Sequence, residues 1–103
     1  MKQLMQAVCK RPQMYVGELG IEGLRVFLNG YLISNKINSI IDSELNDFID
    51  NFEDFVLREL GSSVGESSGW PKAIERVGND QDLDVFWLFE ATLLKFFDRP
   101  KEP

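Results

Sequence analysis

Asp42-Ser43-Glu44-Leu45-Asn46-Asp47-Phe48-Ile49-Asp50-Asn51-Phe52-Glu53-Asp54-Phe55-Val56-Leu57-Arg58-Glu59-Leu60-Gly61 is the stretch that decides the fold. Its apolar members Leu45, Phe48, Ile49, Phe52, Phe55, Val56 and Leu60 return at helical spacing and so line one side of an α-helix. Asp42 or Ser43 can cap its start, because a short oxygen-bearing side chain there satisfies a free backbone N–H. Gly61 is suited to end it. The rest of the helix surface is acidic: seven carboxylates lie between Asp42 and Glu59, opposed only by Arg58. The spacing therefore predicts a helix over 44–60 with a phenylalanine face and a carboxylate face.

Working toward the N-terminus, Ile21, Leu24, Phe27, Leu28, Tyr31 and Leu32 form a second helical stripe, interrupted near Asn35-Lys36-Ile37-Asn38. Gly23 and Gly30 lie inside that helix, where each costs ~1 kcal/mol relative to Ala, and a close helix contact would account for both. Met14-Tyr15-Val16-Gly17 reads as a short extended connection. Before it, Leu4, Met5, Val8 and Cys9 share a face of a helix over 2–10, which Pro12 should stop by restricting Arg11.

Toward the C-terminus, residues 61–69 are rich in Gly and Ser and read as a mobile loop. Pro71 fits the first turn of a short helix expected to end at Gly78. Asn79 or Asp80 then caps a last helix over 81–98, whose aromatic and aliphatic residues cover nearly every side. Such a helix is either central to the core or part of an interface between copies. A short tail follows at 99–103. No strand pattern occurs, so the expectation is an all-α single domain over 1–103, a bundle of four to five helices with Phe48, Phe52, Phe86, Phe89 and Phe97 largely buried.

Composition narrows the function. The chain has 103 residues, no His, one Cys, 11 basic and 17 acidic side chains, and a net charge of −6. Lack of His removes the commonest general base and metal ligand. One Cys rules out an intrachain disulfide or a multi-cysteine zinc site. The acidic balance disfavours nucleic acid and anionic membrane as partners. No run approaches the ~18–20 apolar residues of a membrane-spanning helix, and no cleaved leader is expected. The expected location is the cytoplasm.

Motif-like stretches do not carry chemistry. Gly61-Ser62-Ser63-Val64-Gly65 has the G-x-S-x-G pattern of a hydrolase nucleophile, but a helix precedes it and no His exists to take the serine proton. Asp80, Asp82 and Asp84 resemble a calcium loop, yet the glycine and glutamate such a loop needs are replaced by Val85 and Ala91. Asp47, Asp50 and Asp54 share a helix face that reads as solvated rather than catalytic. Cys9 has no His partner and reads as a small buried hydrophobe. No enzyme activity, cofactor or metal is expected.

Lys10-Arg11-Pro12-Gln13-Met14-Tyr15-Val16-Gly17 is similar to the R-P-x-M-Y-[IV]-G stretch of type II topoisomerase ATPase subunits, but no D-x-G-x-G nucleotide-binding segment follows, so ATPase function is not carried over. The wider layout includes this motif, Phe27-Leu28-Asn29-Gly30-Tyr31, the acidic Phe-rich helix, Gly69-Trp70 and the aromatic last helix. It resembles small all-helical bacterial proteins, several of which look like immunity proteins for polymorphic toxins. That resemblance implies a partner protein, a basic toxin domain, neutralised by this chain.

An acidic helix offers complementary charge and fast, steered association to such a partner. Glu44, Asp47, Asp50 and Asp54 are thus the expected partner-binding residues, with Trp70 added as either a core residue or an exposed anchor. The alternative is a structural or oligomeric helical module, pairing as a homodimer through helix 81–98.

Overall fold

Arg11 sets the first corner of the chain. Its backbone (φ −140°, ψ 64°) leaves the helical region, ending α1 (Lys2–Lys10) immediately before Pro12. In the computed structural model, which describes residues 1–61 and 69–100, six α-helices follow one another. They are α1, α2 (Pro12–Val16), α3 (Ile21–Ile37), α4 (Ser43–Leu60), α5 (Gly69–Asp80) and α6 (Val85–Asp98). No strand occurs among the described residues, and the all-α expectation holds. Most of the expected loop and the end of the expected tail, residues 62–68 and 101–103, lie outside the described residues.

The count of six corrects four to five, and α2 is the addition. Met14-Tyr15-Val16 is helical, not extended. Pro12 stands at the first helical position, where its fixed φ favours a helix and its missing N–H is no loss. A single 3-10 turn, Gly17–Leu19, leads on to α3. Gly23 explains how closely these pieces sit: a Cβ there would lie 2.7 Å from Val16 Cβ and 3.0 Å from Leu19 Cβ. Val16 carries the packing of this motif, whereas Met14 and Tyr15 are exposed.

Two further boundaries move. The short helix expected to end at Gly78 runs on to Asp80, and Gly78 is buried inside it. A Cβ at Gly78 would come within 2.9 Å of Val85 Cγ1, so the missing side chain lets the start of α6 close against α5. The last helix accordingly starts at Val85, not 81. Asp84 caps it by accepting from the N–H groups of Phe86 (2.9 Å) and Trp87 (3.0 Å).

α3 and α5 end alike, in a reverse turn with one residue in the left-handed region. Ser39 (φ 56°) follows α3, with Ile40 N–H donating to Asn35 O at 2.8 Å and Ser39 N–H to Lys36 O at 3.3 Å. Asp82 (φ 54°) follows α5, with Leu83 N–H on Gly78 O at 2.7 Å and Asp82 N–H on Asn79 O at 3.3 Å. Both closures satisfy carbonyls that a helix end leaves open.

α4 packs on α5 and α6, α1 on α6, and α3 on α5. The radius of gyration is 13.5 Å. A compact chain of this length is expected near ~13 Å, so the helices form one body around one core. Phe52 is at its centre, ringed by Phe48 (centroids 4.4 Å apart), Trp70 (5.4 Å), Phe96 (5.4 Å) and Phe89 (5.8 Å). Phe48 stacks on Phe52 and the other three rings meet it edge-to-face, and pairs of either kind add ~0.5–1.5 kcal/mol each beyond their burial. Phe48, Phe52 and Phe89 are buried as expected; Phe86 and Phe97 are only half-buried, and Phe96 takes the inner position instead. On α6, Leu88, Phe89, Leu93 and Phe96 all point into this core, which makes the helix central to the molecule.

Candidate functional site

The carboxylates of α4 divide into those that tie other elements to it and those that face solvent. At its start, Asp42 Oδ1 caps the helix by accepting from Leu45 N–H at 3.1 Å. Its Oδ2 accepts from Tyr31 Oη and from the Met1 ammonium, both at 3.1 Å. Burial pushes the Asp42 carboxyl upward, but these three donors outweigh it and hold the group below the ordinary carboxylate range. Glu44 is held low as well, first by Lys2 N–H donating at 2.9 Å, against a cost of burial, and then by the Met1 ammonium at 3.2 Å.

Further along, Asp47 receives a forked pair of hydrogen bonds from Arg99, Nη2 to Oδ1 at 2.7 Å and Nη1 to Oδ2 at 3.1 Å. Asn51 Nδ2 donates to Asp47 Oδ1 at 2.8 Å. Glu53 Oε1 accepts from Trp70 N–H at 3.1 Å and so caps α5 from a different helix. Glu59 Oε1 is 3.3 Å from Lys95 Nζ. The acidic face is thus in large part a set of fasteners to α1, α5 and α6.

One groove of about 890 Å³ runs along this face, between α4 and the end of α6. Glu44, Asp47, Asn51 and Asp54 line it from α4, Phe55 and Phe97 supply apolar surface, and Lys2, Arg58 and Arg99 contribute positive charge. Residues 47, 51, 54 and 58 face it together because they are one turn apart.

Of the residues expected from sequence, Glu44, Asp47 and Asp54 come together in this groove. Asp50 is exposed but does not line it. Trp70 is 8% exposed, stacked on Phe89 at 5.3 Å and edge-on to Phe48 and Phe52. It is a core residue. Sequence reasoning missed Arg99 and Lys95, which reach α4 only through the packing of α6 and which no local pattern marks, and it assigned Phe97 to the core rather than to the groove wall.

Cys9, the single thiol, is half-buried, and its pKa is pushed up to about 12 by burial and by the nearby charges of Glu90 and Asp84. It stays protonated at neutral pH, which leaves it a poor nucleophile.

Fold and groove together define a small all-α protein with a mixed-charge, partly apolar channel beside an acidic helix. Comparison with protein-family models, with curated proteins and with solved structures gave no match for this chain. Among the described residues no helix is long and apolar enough to cross a membrane.

Proposed function

We propose that this protein is a non-enzymatic binding protein that takes a basic segment of a partner protein into the groove along α4. The observation that carries the reading is the groove itself. Its open carboxylate Asp54 and the paired Asp47 and Glu44 stand beside Phe55 and Phe97, so a cationic side chain and its apolar stem both find complementary surface. The chain has no His to activate a hydroxyl and its one thiol is held protonated, which fits binding better than turnover.

The resemblance to bacterial immunity proteins makes a basic toxin domain the first partner to test, in the cytoplasm, where such a toxin must be neutralised. The experiment is co-expression with the products of the adjacent genes. Association rates of any captured partner are then measured at low and high salt for wild type, Asp54→Lys and Asp50→Lys. Charge reversal within the groove should slow association several-fold and flatten its salt dependence, since rim charges act mainly on the encounter rate. Asp50→Lys, outside the groove, should do much less. A folded Asp54→Lys protein that binds at the wild-type rate removes the groove from the interface.

An oligomeric module is the second reading. Its expected route, pairing through helix 81–98, has little surface left: the apolar residues of α6 are mostly used in the core, and Trp87 is the large one still exposed.

A further inference from the structure

α3 is apolar on two sides. One side holds Ile21, Leu24 and Leu28 in the core. On the other, Val26 (57% exposed), Ile33 (57%) and Ile37 (76%) stand in solvent with Gly30 between them, and Leu19 (64%) continues the line past the helix start. We propose that this outer face of α3 is the docking site for a second copy of this chain, helix against helix, crossing at Gly30.

Four observations favour a second copy. The spacing of Val26, Gly30, Ile33 and Ile37 by four, three and four residues is that of a helix–helix seam. A two-fold contact brings the same stripe of each copy together, so the gap at Gly30 of one copy can receive the side chains of the other.

Gly30 gives the second reason. Gly23 and Gly78 each have a neighbour closer than 3.0 Å to an added Cβ, but at Gly30, among the described residues, nothing beyond its own helix backbone lies within 4 Å. The packing of the described residues therefore does not explain a glycine there, which weakens the helix relative to Ala. A second backbone crossing at that point does.

The third reason is charge. The stripe itself carries none; on its rim Glu22 and Arg25 pair with each other, and exposed Glu18 and Lys36 stand at its two opposite ends. In an antiparallel crossing, with the Glu18 end of one copy beside the Lys36 end of the other, two copies of a chain with net charge −6 meet there without bringing carboxylates face to face.

The fourth is area. Leu19, Val26, Ile33 and Ile37 are each more than half exposed, and together they make a patch of the size that marks an interaction surface, a few hundred Å² (~300–600 Å²). Two such patches face to face fall at or below the ~1,000–1,200 Å² lower end of specific interfaces, which fits a weak dimer that forms as concentration rises.

The test is sedimentation velocity over a micromolar concentration series, paired with thermal melts of dilute protein. Wild type is expected to form a dimer as concentration rises. Ile33→Lys should weaken that dimer at least about tenfold while leaving the monomer's helix content and melting temperature unchanged, since Ile33 touches solvent in one chain. Gly30→Ala separates the proposal from a folding effect: the monomer should melt higher, because Ala favours the helix, yet dimerise less well. Wild type that stays monomeric throughout overturns the proposal, even if the stripe captures some other protein. A dimer that survives Ile33→Lys but is lost in Trp87→Lys also overturns it, because it would place the interface on α6.

Discussion

Arg99 closes the C-terminal end of α6 onto Asp47 of α4, 52 positions earlier, through two parallel hydrogen bonds of 2.7 and 3.1 Å. The same guanidinium lies 3.9 Å over the Phe96 ring and donates from Nη1 to Phe96 O at 2.8 Å. One side chain thus joins one wall of the groove to the aromatic core. This bears on why the acidic helix is tolerated: several of its carboxylates already have partners within the chain.

Arg99→Ala should lower stability by about 1 kcal/mol, a modest figure because the pair is partly open to solvent. Arg99→Lys should recover only part of it, since an ammonium cannot reproduce the planar fork or the ring contact. A double-mutant cycle with Asp47→Asn, read by urea denaturation at low and high salt, checks this; a coupling indistinguishable from zero would mean the fork adds nothing.

Phe52→Ala should cost ~3–5 kcal/mol, because it empties a fully buried site against four aromatic rings. Phe97→Ala, on a half-buried ring, should cost clearly less. Thermal or chemical denaturation followed by circular dichroism distinguishes them, and equal losses would contradict the placement of Phe52 at the centre.

Ser39→Gly should raise stability by about 0.5–1 kcal/mol, since Gly occupies the left-handed region without the strain a Cβ brings there. Asp82→Gly should gain less, because Asp tolerates that region better. A melting temperature for Ser39→Gly at or below that of wild type would show that the reverse turn after α3 is not formed in solution.

The carboxyls of Asp42 and Glu44 are held below their ordinary values in the folded chain, so the fold favours their charged forms. Their contribution is complete above the unfolded values, about 4, and is lost as pH falls through the lowered folded ones. Stability should therefore decline on acidification below about pH 4. Asp42→Asn keeps a capping oxygen but not the charge, so it should flatten that decline. An unchanged pH profile in this variant would show that Asp42 does not contribute to it.

Cys9 should resist alkylation in the folded protein. With its pKa near 12 the thiolate is scarce at pH 8, and iodoacetamide should react at least about a hundredfold more slowly than in urea. Comparable rates in the two conditions would place the thiol in solvent.

The sequence by itself determined the α-helical class, the extent of α4 to within a residue, the start of α3 and the burial of Phe48, Phe52 and Phe89, and it narrowed the cap of α4 to Asp42 or Ser43. These are local matters: periodicity, a capping oxygen and the width of an apolar stripe act within a few turns of one helix. A close contact was expected at both Gly23 and Gly30, and among the described residues it is found at Gly23 alone.

Only the tertiary structure decided the rest. Gly78 resembles a helix stop, but it is an interior position made glycine by the approach of Val85. The carboxylate face resembles a free acidic surface, but Arg99, Lys95 and Trp70 N–H reach it from distant segments. Trp70 could be read as buried or exposed until α4 and α6 were packed around it. The open stripe of α3 was hidden for the same reason. A sequence shows that a helix has apolar residues on two sides, but which side the core uses depends on where the other helices dock.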